Sequence, residues 1–129
     1  MPSDKTDAVT PGSSETGSTT VLIVDDDRDI RDVLRMMCEV GGFAVVGEAA
    51  TGVEAIPLAL KHQPTVVILD YLMPDLDGEK TAPVLRAVAP GVRVVAFSAA
   101  LNARPDWSDA FLNKARVTDI VPLLEGLIR

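Results

Sequence analysis

Several stretches of this chain are apolar throughout and then stop on a polar group. VLIV runs into Asp25-Asp26-Asp27, VVIL into Asp70, and VVAF into Ser98. A strand with one wet face alternates apolar and polar residues. A strand covered on both faces reads as an unbroken apolar run. Such runs call for helices on both sides of a parallel sheet, and this requirement limits the fold more than any other feature.

The segments between them supply those helices. Ile30, Val33, Leu34, Met37 and Val40 recur at helical spacing, with Asp27 as N-cap and Gly41-Gly42 as stop. Val53, Ile56 and Leu60 mark a second helix, residues from about Asp77 to Ala89 a third, and Val117, Ile120, Val121, Leu124 and Ile128 the last. FAVVGEA reads as the second strand and DAFLN as a short fifth. Prolines interrupt the pattern. Pro83 predicts a late start for its helix, and Pro57 and Pro122 predict kinks or downstream starts.

Alternating strand and helix with short turns predicts a doubly wound α/β domain. Ligands in such sheets sit beyond the C-terminal strand ends, where the winding reverses. Asp25, Asp26, Asp70, Ser98 and Lys114 all fall at strand ends. Crowded carboxylates repel one another, and their pKa values rise unless a cation intervenes. Mg²⁺, which takes oxygen ligands, is the natural cation. An aspartate beside it can act as nucleophile and become an acyl phosphate. Lys114 and Ser98 would then hold the remaining phosphoryl oxygens. A charge at the end of VVIL is explained if Asp70 is that nucleophile.

Composition narrows the classes. The 129 residues hold 12 basic and 19 acidic side chains, a net charge of −7. That balance argues against nucleic acid or an anionic membrane as partner. One cysteine, Cys38, and one histidine, His62, exclude a disulfide framework and a Cys/His zinc cluster. The usage fits a reducing compartment, the cytoplasm. No apolar run approaches the roughly 18 residues that span a bilayer, and the N-terminus lacks a secretory h-region. Residues 1–18 are rich in Ser, Thr, Gly and Pro and read as a disordered tail, leaving 19–129 as one domain.

VLIVDDD, VVILDYLMPDLDG, VVAFSAA and DAFLNK, in this order and spacing, resemble the response regulator receiver domain of two-component signalling. The resemblance covers roughly Val21 to Arg129. It implies a flavodoxin-like five-stranded sheet of order 2-1-3-4-5. It implies that Asp70 is the phosphoacceptor, that Asp26 binds Mg²⁺ directly and Asp25 mainly through water, and that the Leu72 backbone carbonyl adds a ligand. It places the hydroxyl switch on Ser98, the aromatic switch on Phe111 and the conserved lysine on Lys114. The partners implied are a sensor histidine kinase or histidine phosphotransfer protein, and an output protein. No output domain follows before Arg129, so the expectation is a stand-alone module or a piece of a longer regulator.

The chain departs from the family at particular places. The lysine is followed by Ala115 where proline is usual, so a trans bond and a re-aimed loop are expected. Ala99 to Ser108 is short for a crossover that includes a helix and contains Pro105. The fourth helix is therefore expected to be shortened or absent, which would uncover apolar surface over strand four for a partner or a homodimer. Leu72 stands where many relatives carry a polar side chain, which predicts a longer-lived phosphoryl group.

Other readings compete. One is a module that binds its partner independently of phosphorylation. VLIVDDD also matches the opening of haloacid-dehalogenase phosphatases, although Asp29 stands where they carry Thr or Val. Met36, Met37 and Cys38 read as helix packing, and His62 as a helix C-terminal charge without a catalytic role. Trp107 either anchors a partner or caps the shortened crossover.

Overall fold

The computed structural model describes residues 19–129; the expected tail, residues 1–18, lies outside them. The elements are β1 (Thr20–Val24), α1 (Arg28–Val40), β2 (Ala44–Ala49), α2 (Gly52–His62), β3 (Val66–Leu69), α3 (Gly78–Val88), β4 (Arg93–Ser98) and β5 (Ala110–Asn113). A 3₁₀ segment, Lys114–Asp119, leads into α4 (Ile120–Leu127). All strand pairings are parallel, and the sheet order is β2-β1-β3-β4-β5. This is the expected 2-1-3-4-5 arrangement.

Strand periodicity sends alternate residues to opposite faces. Val21, Ile23, Ile68, Val95 and Phe97 pack on one side against Leu34 and Cys38 of α1 and Ile120 and Leu124 of α4. Leu22, Val24, Val67, Leu69 and Val94 pack on the other against Ala55 and Ala59 of α2 and Ala82 and Leu85 of α3. The apolar runs are thus buried on both faces, as their composition requires.

Helix starts are fixed by side-chain caps. Asp27 accepts from the Asp29 amide, Thr51 from Glu54 and Asp77 from Lys80. Glu54 also accepts from the Ala50 amide at 3.0 Å, one residue ahead of the N-cap. α1 stops at Gly41-Gly42, where Gly42 has φ 91°. Gly41 also permits close packing of α1 on α4, since a Cβ there would stand 2.8 Å from a Val121 methyl.

The prolines behave in different ways. α4 begins downstream at Ile120, so Pro122 falls in its first turn, as expected. α2 runs through Pro57. α3 does not start late: it begins at Gly78, capped by Asp77, and carries Pro83 inside. The cap and the burial of Gly78, Thr81, Ala82 and Leu85 outweigh the one backbone hydrogen bond that proline removes.

No helix forms between β4 and β5. The expected exposure of β4, however, does not occur: Val94, Val95, Ala96 and Phe97 are all fully buried. The loop itself replaces the helix. Trp107 packs against the apolar cluster beneath α2 and α3. The Arg86 guanidinium, from α3, donates to the Trp107 carbonyl at 2.9 Å, to Asp109 Oδ2 at 3.2 Å and to the Val92 carbonyl at 3.3 Å. Asp109 in turn accepts from the Val94 amide at 2.8 Å. Trp107 is therefore the cap of the shortened crossover. No helix among the described residues is long and apolar enough to cross a membrane.

Candidate functional site

The sheet ladder continues one residue past β1 and β3. The Asp25 amide donates to the Ala49 carbonyl at 3.0 Å, and the Asp70 amide to the Val24 carbonyl at 2.9 Å. Both carboxylates are thereby held on rigid backbone at the C-terminal sheet edge. Asp25 and Asp70 are buried, whereas Asp26 is exposed. Each of the three offers an oxygen, and these oxygens lie within 4.8 Å of one another.

Lys114, at the end of β5, brings its ammonium to 2.7 Å from Asp25 Oδ2 and 3.2 Å from Asp70 Oδ2. No peptide bond among the described residues is cis, so Lys114–Ala115 is trans as expected, and the lysine reaches the site without the family proline. The ammonium also stands 5.8 Å from the Phe97 ring centroid.

Burial raises the Asp70 pKa to about 6; the Asp25 charge adds to the rise, and the Lys114 ammonium opposes it. Burial also works against the charge on Lys114, but Asp25 and Asp70 outweigh it and hold its pKa above the ordinary value. Asp25 Oδ2 is buried, and its charge partner is the Lys114 ammonium at 2.7 Å. A metal cation at this oxygen would take the place of that ammonium. A hard divalent ion fits this all-oxygen donor set.

A cavity of about 430 Å³ opens over these groups, lined by Asp26, Asp70, Leu72, Ser98, Ala99, Ala100 and Lys114. Ser98 is buried at the end of β4, and its Oγ accepts from the Ala100 amide at 3.0 Å. Leu72 is 58 % exposed on the cavity wall. The structure thus brings together Asp25, Asp26, Asp70, Ser98, Lys114 and Leu72. Phe111 stands apart from that lining, half-buried on β5 and paired with Ala96. Leu112 packs into the core on the α1 and α4 side, so alternation turns Phe111 to the α2 and α3 side, at the edge where no helix connects β4 to β5.

The sequence reading missed a supporting group. Arg31 of α1 donates to the Asp25 carbonyl at 2.6 Å and to Glu48 Oε1 at 3.2 Å, and Arg35 pairs with the other Glu48 oxygen. The only signal in the chain was the i,i+4 spacing of Arg31 and Arg35, which puts both on one helix face.

The sequence pattern of the response regulator receiver domain matches residues 21–121. The chain belongs to the response regulator receiver family. That assignment displaces the haloacid-dehalogenase alternative. The receiver domain is 38% identical to the transcriptional regulatory protein PdtaR of Mycobacterium tuberculosis over 111 residues, which covers 81% of this chain and 54% of that protein. The chain therefore spans about half the length of this relative. Among solved structures, the receiver domain of NarL from Mycobacterium tuberculosis is 31% identical with a TM-score of 0.72, covering 84% of this chain and 95% of that one. The response regulator domain of Thermotoga maritima CheB is 26% identical with a TM-score of 0.72, covering 84% and 92%.

Proposed function

We propose that this receiver domain is a phosphoacceptor switch that takes a phosphoryl group on Asp70. The observation that carries the reading is the convergence of buried Asp70 with Asp25, Asp26 and Lys114 at one sheet edge. With a pKa of about 6, Asp70 is mostly ionised at neutral pH and available as nucleophile. Its carboxylate oxygen attacks the phosphorus of a phosphohistidine in a sensor kinase or phosphotransfer protein. The new O–P bond forms as the N–P bond breaks, and the departing imidazole takes up a proton.

Asp25, Asp26, Asp70 and the Leu72 backbone carbonyl would hold Mg²⁺, with Asp25 acting mainly through water. When bound, the ion neutralises the crowded carboxylates and the phosphoryl oxygens. Lys114 pairs with one phosphoryl oxygen. Ser98 Oγ leaves the Ala100 amide and donates to another. Phe111 follows on the open side of β5.

Output passes through contacts with a partner protein in a reducing, cytoplasmic setting. A second copy of the chain would meet the loop 99–109 rather than β4, whose side chains are buried. Formation of a hydroxylamine-labile phosphoryl group from a small acyl-phosphate donor, dependent on Mg²⁺ and stopped by EDTA, tests the chemistry. Incorporation that is Mg²⁺-independent or hydroxylamine-stable contradicts it. A phosphorylated form with unchanged partner affinity would indicate the phosphorylation-independent module instead.

A further inference from the structure

We propose that Trp107 is a positioning residue for Asp70, and that it couples the helix-free loop Ala99–Asp109 to occupancy of the phosphoryl site. The inference rests on the phosphoacceptor reading of Asp70. Its structural basis is the space left by Gly78. A Cβ there would stand 2.6 Å from the Asp70 carbonyl oxygen, 3.0 Å from the Trp107 indole Cη2 and 3.1 Å from the Tyr71 Cα. The indole and the phosphoacceptor's own carbonyl therefore both close on Gly78, which has room for neither to give way to a methyl group. The Tyr71 and Trp107 rings stack at 6.1 Å with 20° between planes. The Gly78 amide closes the arrangement by donating to the Tyr71 carbonyl at 2.9 Å. Trp107 thus braces the peptide that leaves Asp70.

The same loop touches the site from its other end. Ala99 and Ala100 line the cavity, and the Ala100 amide is held by Ser98 Oγ. A Ser98 hydroxyl drawn to a phosphoryl group releases that amide. The loop has no helix to absorb the change, and its far end is fixed by Arg86 at the Trp107 carbonyl. One segment therefore approaches Asp70 from two sides: Ala99 and Ala100 share the cavity lining with its carboxylate, and Trp107 stacks on Tyr71, the next residue in the chain. By linkage, if occupancy of the site changes the free energy with which the Trp107 ring is held, removing the ring changes affinity for the occupant by the corresponding factor.

Trp107 is the only tryptophan, so its emission reports on this contact directly. The test uses Mg²⁺ with beryllofluoride as phosphoryl mimic on the parent, Trp107→Phe, Trp107→Ala and Gly78→Ala. Bound beryllofluoride is read by fluorine NMR, and stability by thermal melting. The parent should change its Trp107 emission on binding, and Asp70→Asn should not. Trp107→Ala and Gly78→Ala should shift the half-saturating beryllofluoride concentration about fivefold or more, with Trp107→Phe between them and the parent. If Trp107→Ala fails to fold, Trp107→Phe and Gly78→Ala decide. Binding with unchanged emission, and affinities within about twofold whatever the melting temperature, overturns the inference alone. A parent that binds no beryllofluoride and accepts no phosphoryl group overturns the phosphoacceptor reading, and this inference with it.

Discussion

The Lys114 ammonium stands between Asp25 and Asp70, 2.7 Å from one carboxylate and 3.2 Å from the other. It holds together two buried like charges, in the place where a divalent cation would compete with it. Lys114→Met should therefore bind Mg²⁺ more tightly, by severalfold, since a positive charge a few ångströms away is removed from a poorly screened site. It should also lose phosphoryl-dependent switching. A Mg²⁺ titration in which this variant binds more weakly than the parent would show that the lysine supports the cation site rather than competing for it.

The raised pKa of Asp70 makes stability depend on pH. The carboxyl titrates at its ordinary value of 3.8 when unfolded and at about 6 when folded. The folded state thus binds the proton more tightly. The stabilisation this gives is complete below about pH 4 and is lost as pH rises through about 6. Asp70→Asn should flatten this slope and, without Mg²⁺, be more stable than the parent at pH 7 by about 2 kcal/mol. Urea unfolding of both proteins between pH 4 and pH 8 measures it, and parallel curves would contradict it.

Arg86 fastens the segment that takes the place of a helix. Arg86→Met leaves the Trp107 and Val92 carbonyls and Asp109 without their guanidinium partner. The cost should be about 2 kcal/mol in denaturant unfolding, in the range for losing charged hydrogen bonds. Hydrogen exchange should rise across 99–109 before the rest of the sheet. A loss spread evenly over the molecule would mean that the loop is held by Trp107 alone.

Leu72 lies on the cavity wall and cannot orient a water molecule. Leu72→Asn should shorten the lifetime of the phosphoryl group severalfold by giving an attacking water a hydrogen-bond partner. Decay followed by intact mass settles the matter, and an equal or longer lifetime in the variant counts against the role given to Leu72.

The site was legible because its residues interrupt a pattern. Asp25, Asp70 and Ser98 end runs that otherwise bury completely, and doubly wound topology places such ends together. The missing helix was also legible, from chain length and Pro105. What replaces it was not. The place of Trp107 depends on the absence of a side chain at Gly78, stacking on Tyr71 and a guanidinium from α3, all remote in sequence. The exposure expected for β4 failed for the same reason, since it took the loss of a helix to mean the loss of cover. Arg31 and Glu48 are not legible in sequence, because their pairing crosses from α1 to β2. Pro83 does not delay its helix, because one lost hydrogen bond counts for less than a capped, buried first turn.

Phosphoryl transfer to Asp70 underlies every role given to the site. Intact mass after incubation with Mg²⁺ and a small acyl-phosphate donor reads it without intermediaries. One added phosphoryl group is expected on the parent and none on Asp70→Asn. An unmodified parent, or equal modification of the variant, would contradict it.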